Sequence, residues 1–137
     1  MDDYAHHPTA IRTTLAGLRK FYPGRRIVAD FMSHTYSRTT ALLDEFAASF
    51  SSADIVMLHK IYASAREINP GGISGKDLYE KARLLHPRVL YSEEVFDAAE
   101  YLKKELKEGD LFITLGAGDN WHLSKALYGE FCAAEKT

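Results

Sequence analysis

Ile27-Val28-Ala29-Asp30-Phe31-Met32 and Ile55-Val56-Met57-Leu58 decide the fold. Both are short runs that are apolar at nearly every position rather than every second one, the pattern of strands covered on both faces. Such strands need helices on either side, and the flanking sequence supplies them. Upstream, Ile11, Leu15, Leu18 and Tyr22 recur at helical spacing between Pro8, suited to a first turn, and Pro23-Gly24, which ends the pattern. Between the two strands, Leu43, Phe46 and Phe50 mark a second helix. After a Gly/Pro-rich loop to Gly72, Ser74-Gly75-Lys76-Asp77 has the form of a capping box opening a helix to Leu85. Val89-Leu90-Tyr91 reads as a third strand. Ser92 is expected to cap the next helix, with Glu93 and Glu94 at its positive dipole end and Val95, Ala99, Leu102 and Leu106 as its apolar stripe. Leu111-Phe112-Ile113-Thr114-Leu115 is the last strand. Gly116-Ala117-Gly118 then turns into a final helix, with Asp119 or Asn120 as cap and Leu123, Leu127 and Phe131 facing inward.

Strands alternating with helices require right-handed crossovers and therefore a mainly parallel sheet. The expected class is α/β: a Rossmann-like three-layer domain with a mainly parallel sheet and helices on both faces. At 137 residues, 46% hydrophobic and 26% charged, the chain suits one globular domain over 1–137 and excludes disorder, collagen and a disulfide scaffold. It opens on a polar stretch leading straight into a helix. A strand preceding Asp2 would complete the βα pattern, so Met1 is expected at a domain boundary within something longer. Asp30 is unexpected in a central strand of a parallel sheet, and requires either an edge position or a polar partner.

A net charge of -2 gives no field strong enough to gather nucleic acid or an anionic membrane surface. No apolar run approaches the roughly 20 residues of a membrane span, and Met1-Asp2-Asp3-Tyr4 lacks the regions of a signal peptide, so a cytoplasmic location is expected. Cys132 is the single cysteine, read as a small apolar residue of the last helix rather than a nucleophile.

In an open α/β sheet, ligands bind beyond the carboxyl ends of the strands, where loops and helix N-termini converge. The unusual polar residues fall in such loops: residues 2–7, 33–38, 62–66 and 116–120. One edge is therefore expected to hold the site. Gly116-Ala117-Gly118-Asp119-Asn120-Trp121 is no dinucleotide fingerprint, since it lacks the third glycine and follows the last strand. The stretch from Gly71 to Asp77 is no P-loop: it is one residue short before Gly75-Lys76, and Asp77 replaces the Mg-binding hydroxyl. A receiver-domain reading of Asp2-Asp3 fails for want of an acceptor Asp ending a middle strand. Asp3, His6, His7 and His34 are ordinary metal-ligand types, but adjacent histidines point apart and no i, i+4 His pair occurs, so no metal is expected on this chain alone. His6 and His7 read more simply as helix-start residues. Arg38, at a helix start near His34, is placed to fork onto a carboxylate or phosphate. Arg66 beside Glu67 reads as a loop ion pair, and Arg19, Lys20, Arg25 and Arg26 as a solvated charge run.

Four stretches together are more specific: Asp2-Asp3-Tyr4-Ala5-His6-His7-Pro8-Thr9, His34-Thr35-Tyr36-Ser37-Arg38-Thr39, Ile61-Tyr62-Ala63-Ser64-Ala65-Arg66-Glu67 and Gly116-Ala117-Gly118-Asp119. In this order they resemble the carboxyl-terminal domain of the Mur ligase family, in particular its UDP-N-acetylmuramate:L-alanine ligases. The resemblance covers essentially the whole chain. It implies an ATP-dependent step of peptidoglycan synthesis in which the muramyl carboxylate is phosphorylated and the amine of L-alanine attacks the acyl phosphate. It also implies absent amino-terminal and central domains, the latter with the P-loop and the magnesium ligands, and a carboxyl-terminal domain that closes over ATP and is inactive alone. Expected partners are ATP, L-alanine, UDP-N-acetylmuramate and those missing domains. By the same resemblance, Asp3 contacts the ATP ribose, and Tyr4, His6, His34 and Arg38 face the nucleotide and the amino acid. Tyr62, Arg66, Gly116 and Asp119 complete the wall. Two departures stand out. Met32-Ser33 replaces a frequent Gln-Pro, and Thr35 replaces a frequent arginine, leaving Arg38 with more of the substrate carboxylate to hold. The murein-peptide recycling ligase of the same family, and a non-catalytic small-molecule binding module of this fold, remain as alternatives.

Overall fold

A computed structural model describes residues 1–69 and 71–136. Its sheet has five strands, β1 (Asp2–Asp3), β2 (Ile27–Met32), β3 (Ile55–Leu58), β4 (Val89–Tyr91) and β5 (Leu111–Gly116). They pair in the order β1-β5-β2-β3-β4, each pair parallel, so all five carboxyl ends lie along one edge. The helices are α1 (Pro8–Phe21), α2 (Tyr36–Ala41), α3 (Leu43–Ala47), α4 (Gly75–Leu85), α5 (Ala99–Glu105) and α6 (Trp121–Glu135).

The apolar runs at β2 and β3 behave as their composition requires: every residue of both strands is buried. Because side chains alternate across a strand, β2 feeds two cores. Ile27, Ala29 and Phe31 pack with Ile11 and Leu15 of α1, Phe46 of α3 and Leu78 and Ala82 of α4. Val28 and Met32 pack on the other side with Leu102 of α5 and Leu123 and Leu127 of α6. This is the expected three-layer α/β arrangement. Asp30 shares the second face, in the middle of the sheet and fully buried, so the edge-strand alternative for it is excluded and the polar-partner alternative holds.

Several local expectations need correction. Asp2 and Asp3 are not loop residues: they form β1 against Thr114 and Leu115 of β5, a pairing that depends on backbone groups rather than side-chain type. The helix expected around Leu43, Phe46 and Phe50 is two short helices, α2 and α3, broken at Leu42 (φ -120°, ψ 23°). Ser92 does not cap α5; its hydroxyl donates to the Glu94 carbonyl, and the helix begins as a 3-10 turn over Val95–Ala98. Phe131 is 39% exposed rather than inward, whereas Leu123 and Leu127 are buried as expected. Two arginines of the run read as solvated are tied down, while Lys20 and Arg25 are exposed as expected. Arg26 donates to Asp110 at 2.6 Å and to Glu105 at 2.8 Å, joining the starts of β2 and β5 to the end of α5. Arg19 bonds Asp54 and the Ser52 carbonyl. The capping box at α4 is present, the Ser74 amide donating to the Asp77 carboxylate at 2.8 Å. No helix among the described residues is long and apolar enough to cross a membrane.

Candidate functional site

The parallel order sets out the expected site residues as a row. After β1 come Tyr4 and His6, after β5 the turn from Gly116 to Asn120, after β2 His34 and Arg38, and after β3 Tyr62 and Arg66. Neighbouring strands lie about 4.8 Å apart, so the row from β1 to β3 spans about 14 Å, enough for an extended ligand rather than a single amino acid.

Its best-defined part is the β2–β3 corner. The Tyr62 amide donates to the Ser33 carbonyl at 2.7 Å. The Tyr62 carbonyl in turn faces His34 Nδ1 at 2.7 Å, with the two rings 5.7 Å apart. A carbonyl only accepts, so Nδ1 carries the proton and Nε2 is left to accept, or to donate once the ring is doubly protonated. Arg38 Nη1 donates to the His34 carbonyl at 3.0 Å, and among the described residues no carboxylate pairs with this guanidinium. The His34–Thr35 peptide is cis. Thr35 caps α2, its hydroxyl accepting from the Arg38 amide.

Glu67 is a site residue that sequence reading misassigned. Instead of pairing with Arg66, its carboxylate accepts from the Tyr36 amide at 2.9 Å and the Ser37 amide at 2.8 Å. Desolvation pushes this carboxyl up, but the amides of Ser37 and Tyr36 outweigh it and hold it down at about 2. The β3 loop is thereby fastened to the start of the helix that carries Arg38. Arg66 itself is exposed on that loop and joins none of the other site residues. The signal available in the sequence was the Arg-Glu pair, but its spacing pointed to the wrong partner.

At the β1 end, Tyr4 is 71% exposed and meets His6 edge-on, 4.8 Å between centroids. His6 Nδ1 contacts the Tyr4 carbonyl, while His7 occupies the α1 cap and accepts from the Thr9 amide. Asp3 accepts from the Ala5 amide at 2.7 Å and from the Thr14 hydroxyl at 3.5 Å.

The β5 turn sits between these groups because two glycines let it approach β2. Gly116 has φ +115°, and a Cβ there would lie 2.3 Å from the Met32 carbonyl oxygen; one on Gly118 would meet Met32 Sδ at 2.6 Å. Asp119 is exposed beside them. Asn120 takes the cap position of α6 without capping it; its side chain turns inward to Asp30 and to the Leu115 carbonyl.

A cavity of about 640 Å³ lies at the opposite end of β5, near Met1, Leu111, Phe112, Leu127, Tyr128 and Phe131. None of the expected site residues borders it. Among the described residues, no three His, Cys, Asp or Glu side chains gather as a metal-holding group.

Comparison with known proteins bears on the family and the fold. The family model described as "Mur ligase, glutamate ligase domain" matches residues 1–118. The UDP-N-acetylmuramate--L-alanine ligase of Treponema pallidum (strain Nichols) is 61% identical over 131 residues, covering 96% of this chain and 27% of that protein. Among solved structures, the UDP-N-acetylmuramate-alanine ligase of Thermotoga maritima superposes with a TM-score of 0.72 at 24% identity, over 96% of this chain and 26% of that one. A bifunctional folylpolyglutamate synthase/dihydrofolate synthase from Yersinia pestis, solved with AMPPNP and Mn ion, does so with a TM-score of 0.62 at 19% identity, over 91% and 27%. These two likenesses speak to the fold. The chain thus spans about a quarter of the length of the relatives it matches, and by the family model and the identity to the Treponema protein it belongs to the Mur ligase family, as its carboxyl-terminal domain.

Proposed function

We propose that this domain serves an ATP-dependent ligase that joins L-alanine to UDP-N-acetylmuramate, in the cytoplasm, as a step of peptidoglycan synthesis. The reading rests above all on one observation: His34, Arg38 and Tyr62 are drawn together by hydrogen bonds at the carboxyl edge of the sheet, with a guanidinium that no carboxylate among the described residues neutralises. The high identity to a relative named for that reaction supports the choice of substrate.

In the proposed reaction the γ-phosphoryl group of ATP passes to the muramyl carboxylate, releasing ADP. The amine of L-alanine then attacks the acyl carbon, the C–N bond forms, the C–O bond breaks as phosphate leaves with its electron pair, and the nitrogen releases a proton. The part of this chain is to hold and orient. Arg38 presents a planar fork to the alanine carboxylate, and the His34 ring, fixed by the Tyr62 carbonyl, lies beside it. Fixing the carboxylate sets the direction of the amine, and orientation of this kind is worth several kcal/mol of barrier. Tyr4 and His6, the Tyr62 and Arg66 loop, and the Gly116 to Asp119 turn line the remainder of the edge. Asp3, anchored by the Ala5 amide, keeps acceptor capacity for ribose hydroxyls. The P-loop and the magnesium ligands are assigned to a central domain, over which this one closes, so the domain is inactive by itself.

The test is L-alanine-dependent phosphate release from ATP and UDP-N-acetylmuramate by the complete ligase carrying this domain. Arg38→Ala removes a charge-assisted contact of about 1.5–3 kcal/mol, so kcat/KM for alanine is expected to fall about 10- to 150-fold. His34→Ala should raise the alanine requirement as well. Variants that behave as wild type would overturn the carboxylate clamp. A preference for murein peptide over free alanine would move the assignment to the recycling ligase, and indifference to both would leave a binding module.

A further inference from the structure

Beneath the site lies a group of polar side chains that the proposed reaction does not use. Asp30, His59 and Asn120 come from β2, from the end of β3 and from the β5–α6 turn, and all are at most 2% exposed. Asp30 Oδ2 meets His59 Nε2 at 2.7 Å, while Oδ1 accepts from Asn120 Nδ2 at 2.9 Å. Asn120 Nδ2 also reaches the carbonyls of Asp30 (3.0 Å) and Leu115 (3.2 Å). His59 Nδ1 meets the Ser92 carbonyl, beyond β4, at 2.8 Å. The arrangement therefore joins the carboxyl ends of β2, β3, β4 and β5.

The partners determine where the protons are. Facing a carbonyl, His59 Nδ1 must carry a hydrogen. A second proton must then lie between Nε2 and Oδ2, because without it a ring lone pair would face a carboxylate in a dry interior. We infer that Asp30, His59 and Asn120 form a proton-holding clamp, net neutral as a pair plus an amide, that positions the loops of the site edge against the central strand. Their role is positioning, since none of the three reaches the solvent side where a ligand would sit. Burial pushes His59 down, but the charge and hydrogen bond of Asp30 and the Ser92 carbonyl more than offset it and raise it above the ordinary imidazole value. Exposed Asp119 acts in the same direction from the β5 turn. The remaining charges nearby are Lys60, the next residue along, with Glu94 bonded to it and Glu93 alongside. Raising the pH through the His59 titration removes the shared proton, leaves charge and lone pair face to face, and loosens the clamp.

Nuclear magnetic resonance of the 137-residue chain from pH 6 to 10 tests this without any substrate, so its failure is separate from that of the ligase reading. At pH 7 both His59 ring nitrogens are expected to carry protons. The backbone amides of Lys60, Tyr62 and Asp119 should move with the His59 ring in one transition above that of a solvated imidazole. Asp30→Asn should leave His59 singly protonated at pH 7 and flatten the transition of the loop amides, because an amide at position 30 can donate to Nε2 and still accept from Asn120. Asn120→Ala should keep both ring protons while the shifts of the β5 turn collapse toward averaged values. A His59 ring with one proton at pH 7, or loop amides that do not follow the ring, overturns the clamp. The wild-type titration alone decides the matter if a variant fails to fold.

Discussion

Replacing Gly116 with alanine probes the close approach of β5 to β2. The added Cβ would lie 2.3 Å from the Met32 carbonyl oxygen and 3.5 Å from the Phe31 ring, at a φ of +115° that L side chains rarely adopt. Strain of this conformation costs about 1–3 kcal/mol. The oxygen belongs to backbone, so relief requires β5 to draw away from β2 at the Met32–Gly116 pairing, which loosens the Asn120 bonds to the Asp30 carbonyl and carboxylate at about 1 kcal/mol each. The expected loss is about 3–5 kcal/mol. For a chain of this size, an unfolding entropy of about 2.1 cal/mol/K per residue turns that into a midpoint lower by roughly 10–17 °C. Gly129→Ala is the matched control: it lies inside α6 with nothing within 4 Å of the new Cβ, and alanine there should stabilise by about 0.5–1 kcal/mol. Calorimetry or thermal circular dichroism on both variants reads the two shifts with opposite signs. If Gly116→Ala costs less than about 1 kcal/mol, or if both variants shift the same way, the close approach of β5 to β2 is wrong.

Three further outcomes are expected. Leu102→Ala empties a fully buried position of the α5–α6 face and should cost about 2–5 kcal/mol in chemical denaturation with an unchanged m-value. Glu67 is held low, so the stability it contributes is present above the ordinary carboxylate range and is lost as the pH falls toward about 2; Glu67→Gln should give a shallower decline of stability between pH 5 and pH 2 than the wild type. Arg26→Met leaves Asp110 with the Lys107 amide alone, while Glu105 keeps Arg88, and should cost about 1.5–3 kcal/mol, detectable by urea titration and reduced at high salt.

The alternation of apolar strands and amphipathic helices was legible from the residues because it is a local property. A strand buried on both faces has to be apolar throughout, and Ile27–Met32 and Ile55–Leu58 are, apart from Asp30. The rule that ligands gather at the carboxyl edge likewise placed Tyr4, His34, Tyr62 and Gly116 in one row, since a parallel sheet leaves no other arrangement. The identity of Asp2-Asp3 as β1 was hidden, because two carboxylates carry no strand signal and only the backbone of β5 makes them a strand.

What the sequence determined by itself, then, is the class, the two apolar faces of each buried strand and the side of the sheet where polar loops collect. These follow from periodicities of two and 3.6 residues, which act over a few positions. Tertiary structure alone decided the strand order and, with it, the polar partnerships: Glu67 with the start of α2 rather than with Arg66, Arg26 with Asp110 across 84 positions, and Asp30 with His59 and Asn120 across 29 and 90. A charged or amide side chain pairs with whatever the fold brings within about 3 Å, and that distance is set by how the strands are ordered, not by the residues beside it in the chain.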